Sequence, residues 1–332
     1  MANLYLTEQG SILRKTGDRL IVQKEGETLL DVQCSKINAI LIFGNVQFTT
    51  QAVHELFEHG IEMALLTRTG RLIGQITSPA TKNIELRVSQ FKRYDDSEFR
   101  LNLCRAIVQG KATNCLNLLK AFSYNHPNIE LAGEITGIEA LMKDIAGADN
   151  AASLRGTEGS IARSYFSGFG KMMLSELTFE GRKKHPSTDP VNALLSFGYT
   201  LLFNEISSLL DGLGFDPYLG YFHEVEYGRA SLACDIQEEF RAAIDRFTLY
   251  LINNRMLGKD DFFENAKDGS IYLKRDAMKK YFSEYEKNLN REFVHPGTKE
   301  NTTLRKCFRI QAERLAGCIK DGDEYRTFQL EA

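Results

Sequence analysis

The sequence predicts an α+β protein, with a β-rich, hairpin or β-sandwich-like N-terminal domain over residues 1–79 and an all-α-helical domain over residues 80–332. Three observations carry that expectation. At 332 residues the chain exceeds the roughly 100–200 residues usual for one domain. Its N-terminal quarter consists of short β-branched and aromatic runs punctuated by glycine turns. From Thr81 onward apolar residues recur instead at three- and four-residue intervals, the period of one helix face.

Taken in order, LYLT, SILRK, RLIVQK, TLLDVQ and INAILIF read as strands. The turn signals EQG, TGD and EGE between them each carry the glycine a tight reversal prefers, which suggests a meander of hairpins. TTQAVHELFEHG breaks the alternation: Val53, Leu56 and Phe57 share helical spacing behind a capping threonine. IEMALLT and RLIGQIT then return to strand character, and the composition shift puts the domain boundary near Pro79. Beyond it Ile84, Val88 and Phe91, then Phe99, Leu103 and Ile107, then Leu116, Leu119 and Phe122 mark helices. The chain stays helical to about Asp321, with breaks at NHPN, KKHPSTDP and VHPGTKEN. In STDPVNALLSFGYTLL, Asp189 suits an N-cap because its carboxylate accepts from free backbone N–H groups, and Pro190 suits the first helical position, where its missing N–H costs nothing. Val191, Leu194, Leu195, Phe197, Leu201 and Leu202 make that helix apolar on most faces, so it belongs in the core.

Apolar residues at 43% and charged residues at 26% are values of a globular protein and exclude a disordered or fibrous chain. There is no run of about 18 apolar residues and no basic-then-apolar N-terminal leader, which leads to an expectation of a cytoplasmic protein without a membrane partner. Six scattered cysteines form no CxxC pair and read as buried thiols. A net charge of −3 does not announce a nucleic-acid binder, but GRKKHP from Gly181 and LKRDAMKK from Leu273 leave room for a basic face.

The chemistry concentrates in YFHEVEYGRASLACDIQEEFR from Tyr221. On a helix beginning near Ser231, Leu232, Ile236, Phe240 and Ala243 form an apolar stripe, and Asp235 and Glu238 project together as i,i+3 neighbours on the adjacent strip. Such a pair is most simply an exposed acidic face; alternatively, a bound cation would relieve its repulsion. His223 precedes it in a loop rich in Gly, Pro and aromatics, of the kind that places functional side chains beside a rigid helix. In LRGTEGSIARSYF, Glu158 lies between Gly156 and Gly159, small neighbours that permit a large ligand to approach, although a helix-capping carboxylate is the plainer reading.

EGSIARSYF, DPVNALLSFGYTLL and GYFHEVEYGRASLACDIQEEFR resemble, in order and spacing, the signatures of the CRISPR-associated integrase-endonuclease of spacer acquisition. The resemblance spans most of the chain and implies the same β-then-α architecture, with a dimerising N-terminal and a catalytic C-terminal domain. It implies that Glu158, His223 and Glu238 hold a divalent metal, with Asp235 as an additional catalytic acid and Glu239 a rival for the place of Glu238. It also implies a homodimer that acts on double-stranded and branched DNA with a small ferredoxin-like CRISPR-associated companion. Two carboxylates and an imidazole suit Mg²⁺ or Mn²⁺, whereas a structural zinc site would usually want thiolates. Hydrolysis of a phosphodiester at such a site gives an endonuclease, and attack by the 3′-hydroxyl of a spacer end gives an integrase. Arg163, Arg229 and Arg241 are candidates for phosphate or for pairing with local acids. Arg182, Lys183, Lys184, Lys274, Arg275, Lys279 and Lys280 are candidates for sequence-independent DNA contacts. A noncatalytic DNA-binding scaffold and a metal-dependent hydrolase of another phosphate ester are the competing readings.

Overall fold

The computed structural model describes residues 2–77, 83–183, 186–266 and 268–330. The chain clusters into one unit of Met1–Ala80 with Met278–Glu286 and a second of Thr81–Ala277 with Lys287–Ala332. The boundary expected at residues 79 and 80 lies outside the described residues.

The first unit holds β1 (Ala2–Leu6), β2 (Ile12–Thr16), β3 (Arg19–Lys24), β4 (Glu27–Gln33), β5 (Ile37–Phe43), β6 (Gln47–Phe48), α1 (Thr50–Glu58), β7 (Glu62–Leu66) and β8 (Leu72–Ile76). These strands form two four-stranded sheets, ordered β1-β5-β7-β8 and β4-β3-β2-β6. TGD and EGE do reverse the chain, giving antiparallel β2–β3 and β3–β4 pairs with Leu13 opposite Val22 and Leu20 opposite Val32. EQG does something else. Gly10 at φ 79° turns the chain out of one sheet and into the other, so a simple meander gives way to parallel pairing of β1 and β7 on either side of β5. The run INAILIF is consistent with that place, because Ile40, Leu41, Ile42 and Phe43 are all buried and a parallel strand covered on both faces reads as continuously apolar. The threonine cap is present: Thr49 Oγ1 accepts from the Ala52 N–H at 3.2 Å.

The second unit contains α2 (Ile84–Asp95), α3 (Ser97–Asn125), α4 (Ala132–Ala146), α5 (Ala151–Lys171), α6 (Pro190–Leu213), α7 (Ser231–Gln237) and α8 (Arg241–Asn253). After these come β9 (Phe262–Glu264), β10 (Ile271–Leu273), α9 (Arg275–Asn290), β11 (Glu292–Val294), β12 (Asn301–Thr303) and α10 (Leu304–Asp321). The helical expectation holds, with two short antiparallel hairpins added, β9 with β10 and β11 with β12. α6 is the central helix: Asp189 accepts from the Asn192 N–H at 2.8 Å, Pro190 opens the first turn, and left-handed Gly214 ends it. By length and composition α6 is apolar enough to cross a bilayer, but here its apolar faces pack on α7, α8 and α10.

Two details depart from the periodicity. Ile84, Val88 and Phe91 are exposed, and α2 buries Leu86 and Gln90 instead. A glutamine can go inside here because its amide donates to the carbonyls of Asp216 and Leu219, both at 2.9 Å. In α9, Met278–Glu286 clusters with the strands of the first unit. Phe282 stacks on Tyr5 with ring centroids 4.1 Å apart, and the Tyr5 hydroxyl donates to Glu286 at 2.7 Å. All six cysteines are free thiols, five of them buried.

Candidate functional site

The loop ahead of α7 is wound around one carboxylate. Asp235 is fully buried. Its Oδ2 accepts from the backbone N–H groups of Tyr221 at 2.6 Å and Phe222 at 3.1 Å, and its Oδ1 accepts from the His223 N–H at 2.8 Å. His223 Nδ1 lies 2.8 Å from the same oxygen. The imidazole therefore spends its Nδ1 proton on Asp235 and keeps Nε2 free to act as an acceptor. Both Asp235 oxygens are occupied by N–H donors, so this carboxylate positions the loop and the ring.

Gly220 makes this winding possible. A Cβ there would lie 2.6 Å from the carbonyl carbon of Ser231 and 2.8 Å from its oxygen. Substituting Gly220 by alanine is expected to lower stability by about 2 kcal/mol, the range of an overpacked site, and to move His223. A urea unfolding midpoint equal to that of the unsubstituted protein would contradict this.

One turn further on, α7 tightens into a 3-10 turn over Glu238–Phe240 before α8 begins, and the two successive glutamates part company. Glu239, fully buried, accepts from the Tyr325 hydroxyl at 2.5 Å, the Phe328 N–H at 2.7 Å and the Gln311 amide at 2.8 Å. Burial pushes its pKa up to about 7 against those hydrogen bonds. Glu238 turns the other way. Its Oε1 lies 3.1 Å from the Arg241 guanidinium and 3.9 Å from His223 Nε2, and its Oε2 lies 2.5 Å from the Lys111 ammonium. Burial alone would raise its pKa, but Arg241, Lys111 and His223 outweigh burial and bring it down to about 2. Asp235, Glu238 and Glu239 are 0%, 4% and 0% exposed, which excludes a solvated acidic face.

Glu158 arrives from α5 and ion-pairs with the same Lys111 ammonium. Burial disfavours the charged lysine, yet Glu238 and Glu158 more than compensate and its pKa is raised. Neither Gly156 nor Gly159 would place a Cβ within 4 Å of anything, so the approach to Glu158 is open. Beside it lies a pocket of about 650 Å³ whose lining includes Lys111, Glu158, Arg163, Phe166, Arg182 and Arg241. Arg182 is anchored by donating to Asn192 Oδ1 at 2.8 Å and Ser196 Oγ at 3.0 Å. Arg241 stacks on the Tyr199 ring at 4.6 Å.

Among the described residues, the other basic candidates do not line this pocket. Arg229 pairs with Glu226 at 2.8 Å in the loop, and Lys183 pairs with Glu180 at 3.6 Å. Lys274 and Arg275 are exposed at the start of α9, and Lys279 and Lys280 are exposed further along it. Lys184 lies outside the described residues.

Two groups had no place in the sequence reading. Lys111 falls on the buried stripe of α3 between Ile107 and Cys115, and a lone lysine at those four-residue steps is the signal that could have found it. Asp245, buried beneath Arg241, accepts from the hydroxyls of Tyr165, at 2.7 Å, and of Tyr199. Burial pushes it up to about 6 against those hydrogen bonds.

The donors fit a hard divalent cation: Glu158 and Glu238 supply carboxylate oxygens, His223 Nε2 is available, and the partner of buried Glu238 Oε2 is itself a cation, the Lys111 ammonium 2.5 Å away. Among the described residues the three-ligand set that lies within 4.8 Å of one another is a different one, Cys34, Glu55 and His59 in the first unit. There Lys15 already ion-pairs with Glu55, and His59 Nδ1 lies 3.1 Å from the Glu55 carbonyl oxygen.

The profile of the family described as CRISPR associated protein Cas1 matches residues 4–287. A Thermus thermophilus protein named CRISPR-associated endonuclease Cas1 3 is 34% identical, over 94% of this chain and 92% of its own. A Geobacter sulfurreducens protein named CRISPR-associated exonuclease Cas4/endonuclease Cas1 fusion is 32% identical over 94% of this chain, which spans 57% of that fusion's length. A solved Cas6-RT-Cas1–Cas2 complex matches with a TM-score of 0.81 and 26% identity, covering 99% of this chain and 36% of that one. With a family match over most of its length and a full-length relative above 30% identity, the chain belongs to the Cas1 family.

Proposed function

We propose that this protein is a metal-dependent DNA endonuclease and integrase of CRISPR spacer acquisition. The observation that carries the reading is the convergence of Glu158, His223 and Glu238, from three separate segments, beside a pocket walled by Arg163, Arg182 and Arg241. Glu158, His223 Nε2 and Glu238 would hold the cation, Mg²⁺ or Mn²⁺. When bound, such an ion polarises a phosphodiester and acidifies water or aligns a 3′-hydroxyl for in-line attack.

The chain's own residues do the rest. Asp235 fixes the imidazole so that Nε2 faces Glu238. Arg163, Arg182 and Arg241 supply positive charge for the phosphate and for the charge that develops on it. Nothing lies within 4 Å of where a Cβ at Gly156 or Gly159 would stand, which supports an open flank for a DNA backbone to approach. Family membership and the named Cas1–Cas2 complex support DNA and an adaptation complex as partners. A homodimer built through the β-rich unit and a small ferredoxin-like companion complete the proposal.

The test is cleavage and strand transfer on branched and half-integrated DNA with Mn²⁺, Mg²⁺ or chelator, beside Glu158→Ala and His223→Ala. Both activities are expected to need metal and to be lost in both variants. DNA binding without turnover in the unsubstituted protein would favour a scaffold. Turnover of small phosphate esters with DNA ignored would favour another hydrolase.

A further inference from the structure

Lys111 stands where the cation would. Its ammonium pairs with Glu158 Oε1 and lies 2.5 Å from Glu238 Oε2, one oxygen from each of the two carboxylates assigned to the metal above. The side chain is only 12% exposed and rises from the buried stripe of α3, so water does not readily replace it. Two facing carboxylates with so little solvent around them would repel one another strongly without a positive charge between them. An ammonium and a divalent ion cannot both occupy that position. Metal–oxygen contacts of about 2.0–2.1 Å for Mg²⁺ are also shorter than ammonium–carboxylate hydrogen bonds of about 2.7–2.9 Å. A site closed on metal is therefore narrower than one closed on lysine, and Glu158, His223 and Glu238 are not among the ligand sets within 4.8 Å of one another.

Resting on the metal-site reading above, we propose that Lys111 is a built-in counter-cation that holds Glu158 and Glu238 together in the metal-free protein and is displaced when a divalent ion binds. Metal affinity then includes the work of moving Lys111. The lysine keeps the empty site folded and sets the cation concentration at which it fills.

The test compares unsubstituted protein, Lys111→Met and Glu158→Gln by Mn²⁺ titration calorimetry and by thermal unfolding in chelator. Lys111→Met, similar in length but uncharged, is expected to bind Mn²⁺ on the order of tenfold more tightly. It should also unfold at lower temperature in chelator and gain more from added Mn²⁺. If Mn²⁺ binds the unsubstituted protein, Glu158→Gln abolishes that binding and Lys111→Met leaves it unchanged, the counter-cation role is wrong and the metal site stands. If the unsubstituted protein takes up no Mn²⁺, the metal reading fails and takes this inference with it. Should Lys111→Met not fold, amine labelling of the unsubstituted protein read by mass spectrometry decides the matter. Lys111 is expected to be protected in chelator and labelled with saturating Mn²⁺, and protection unchanged by bound Mn²⁺ overturns the proposal.

Discussion

Replacing Glu239 with alanine is expected to remove about 3–5 kcal/mol of stability, whereas the same change at Glu238 should leave the chain folded and abolish metal-dependent cleavage. The two residues are adjacent but belong to different networks. Glu239 gathers the Tyr325 hydroxyl, the Phe328 N–H and the Gln311 amide, so it ties the segment after α10 to the core. Phe240, next in sequence, stacks on Phe328 with ring centroids 4.8 Å apart. Alanine at 239 strands two buried donors, the Tyr325 hydroxyl and the Phe328 N–H, each costing about 1–3 kcal/mol if left unpaired, while the Gln311 amide keeps the Arg326 carbonyl at 3.0 Å. Alanine at 238 removes an acceptor from Lys111, which keeps Glu158, and from Arg241, which keeps its place on Tyr199. Urea unfolding and cleavage of branched DNA, measured on both variants, separate the roles, and equal stability of the two would refute the division. Glu239 also predicts a pH dependence. Its pKa stands near 7 in the folded protein against an ordinary 4.5, so between these values the folded state binds more protons than the unfolded one. Stability therefore falls as pH rises from about 4.5 to 7, by about 3 kcal/mol from this group. Glu239→Gln should remove that part of the slope.

How legible each feature was depended on whether its cause is local. Strand alternation, the Thr49 cap and the Asp189–Pro190 start are written in neighbouring letters, and each appears where expected. Partner choice among strands is not local. EQG looks like TGD and EGE, yet only the latter two close hairpins; β1 pairs instead with distant β5, whose Ile40, Leu41, Ile42 and Phe43 are all buried. The exposed stripe Ile84, Val88 and Phe91 makes the same point: periodicity says that a face exists and does not say what covers it. At the site, the i,i+3 spacing of Asp235 and Glu238 was plain, but the residues themselves fitted a wet surface equally well. What distinguishes the cases is burial, and burial comes from a loop that closes over α7 and from Lys111 more than a hundred residues earlier. The choice between Glu238 and Glu239 turned on a 3-10 turn that the helical pattern does not announce.

Asp235→Asn is expected to lower stability by about 3–5 kcal/mol and to weaken Mn²⁺ binding by about 10–100-fold, although N–H donors occupy both Asp235 oxygens. The carboxylate accepts four N–H donors, two on each oxygen. An asparagine offers one oxygen and one NH₂ group. Whichever way it sits, its NH₂ confronts two donors: with NH₂ in place of Oδ2 it meets the Tyr221 and Phe222 N–H groups, and with NH₂ in place of Oδ1 it meets the His223 backbone N–H and ring Nδ1. The first arrangement unwinds the loop. The second forces the ring to surrender its Nδ1 proton and place it on Nε2, the atom that must stay open toward Glu238. Two measurements separate this positioning role from direct ligation. Imidazole ¹⁵N spectra of the metal-free protein should show His223 leaving the Nδ1–H tautomer in the variant, a change that loss of a mere ligand would not produce. His223→Ala combined with Asp235→Asn should weaken Mn²⁺ binding little more than His223→Ala alone, because Asp235 reaches the cation only through the ring. Fully additive losses in the double variant would instead make Asp235 a ligand in its own right.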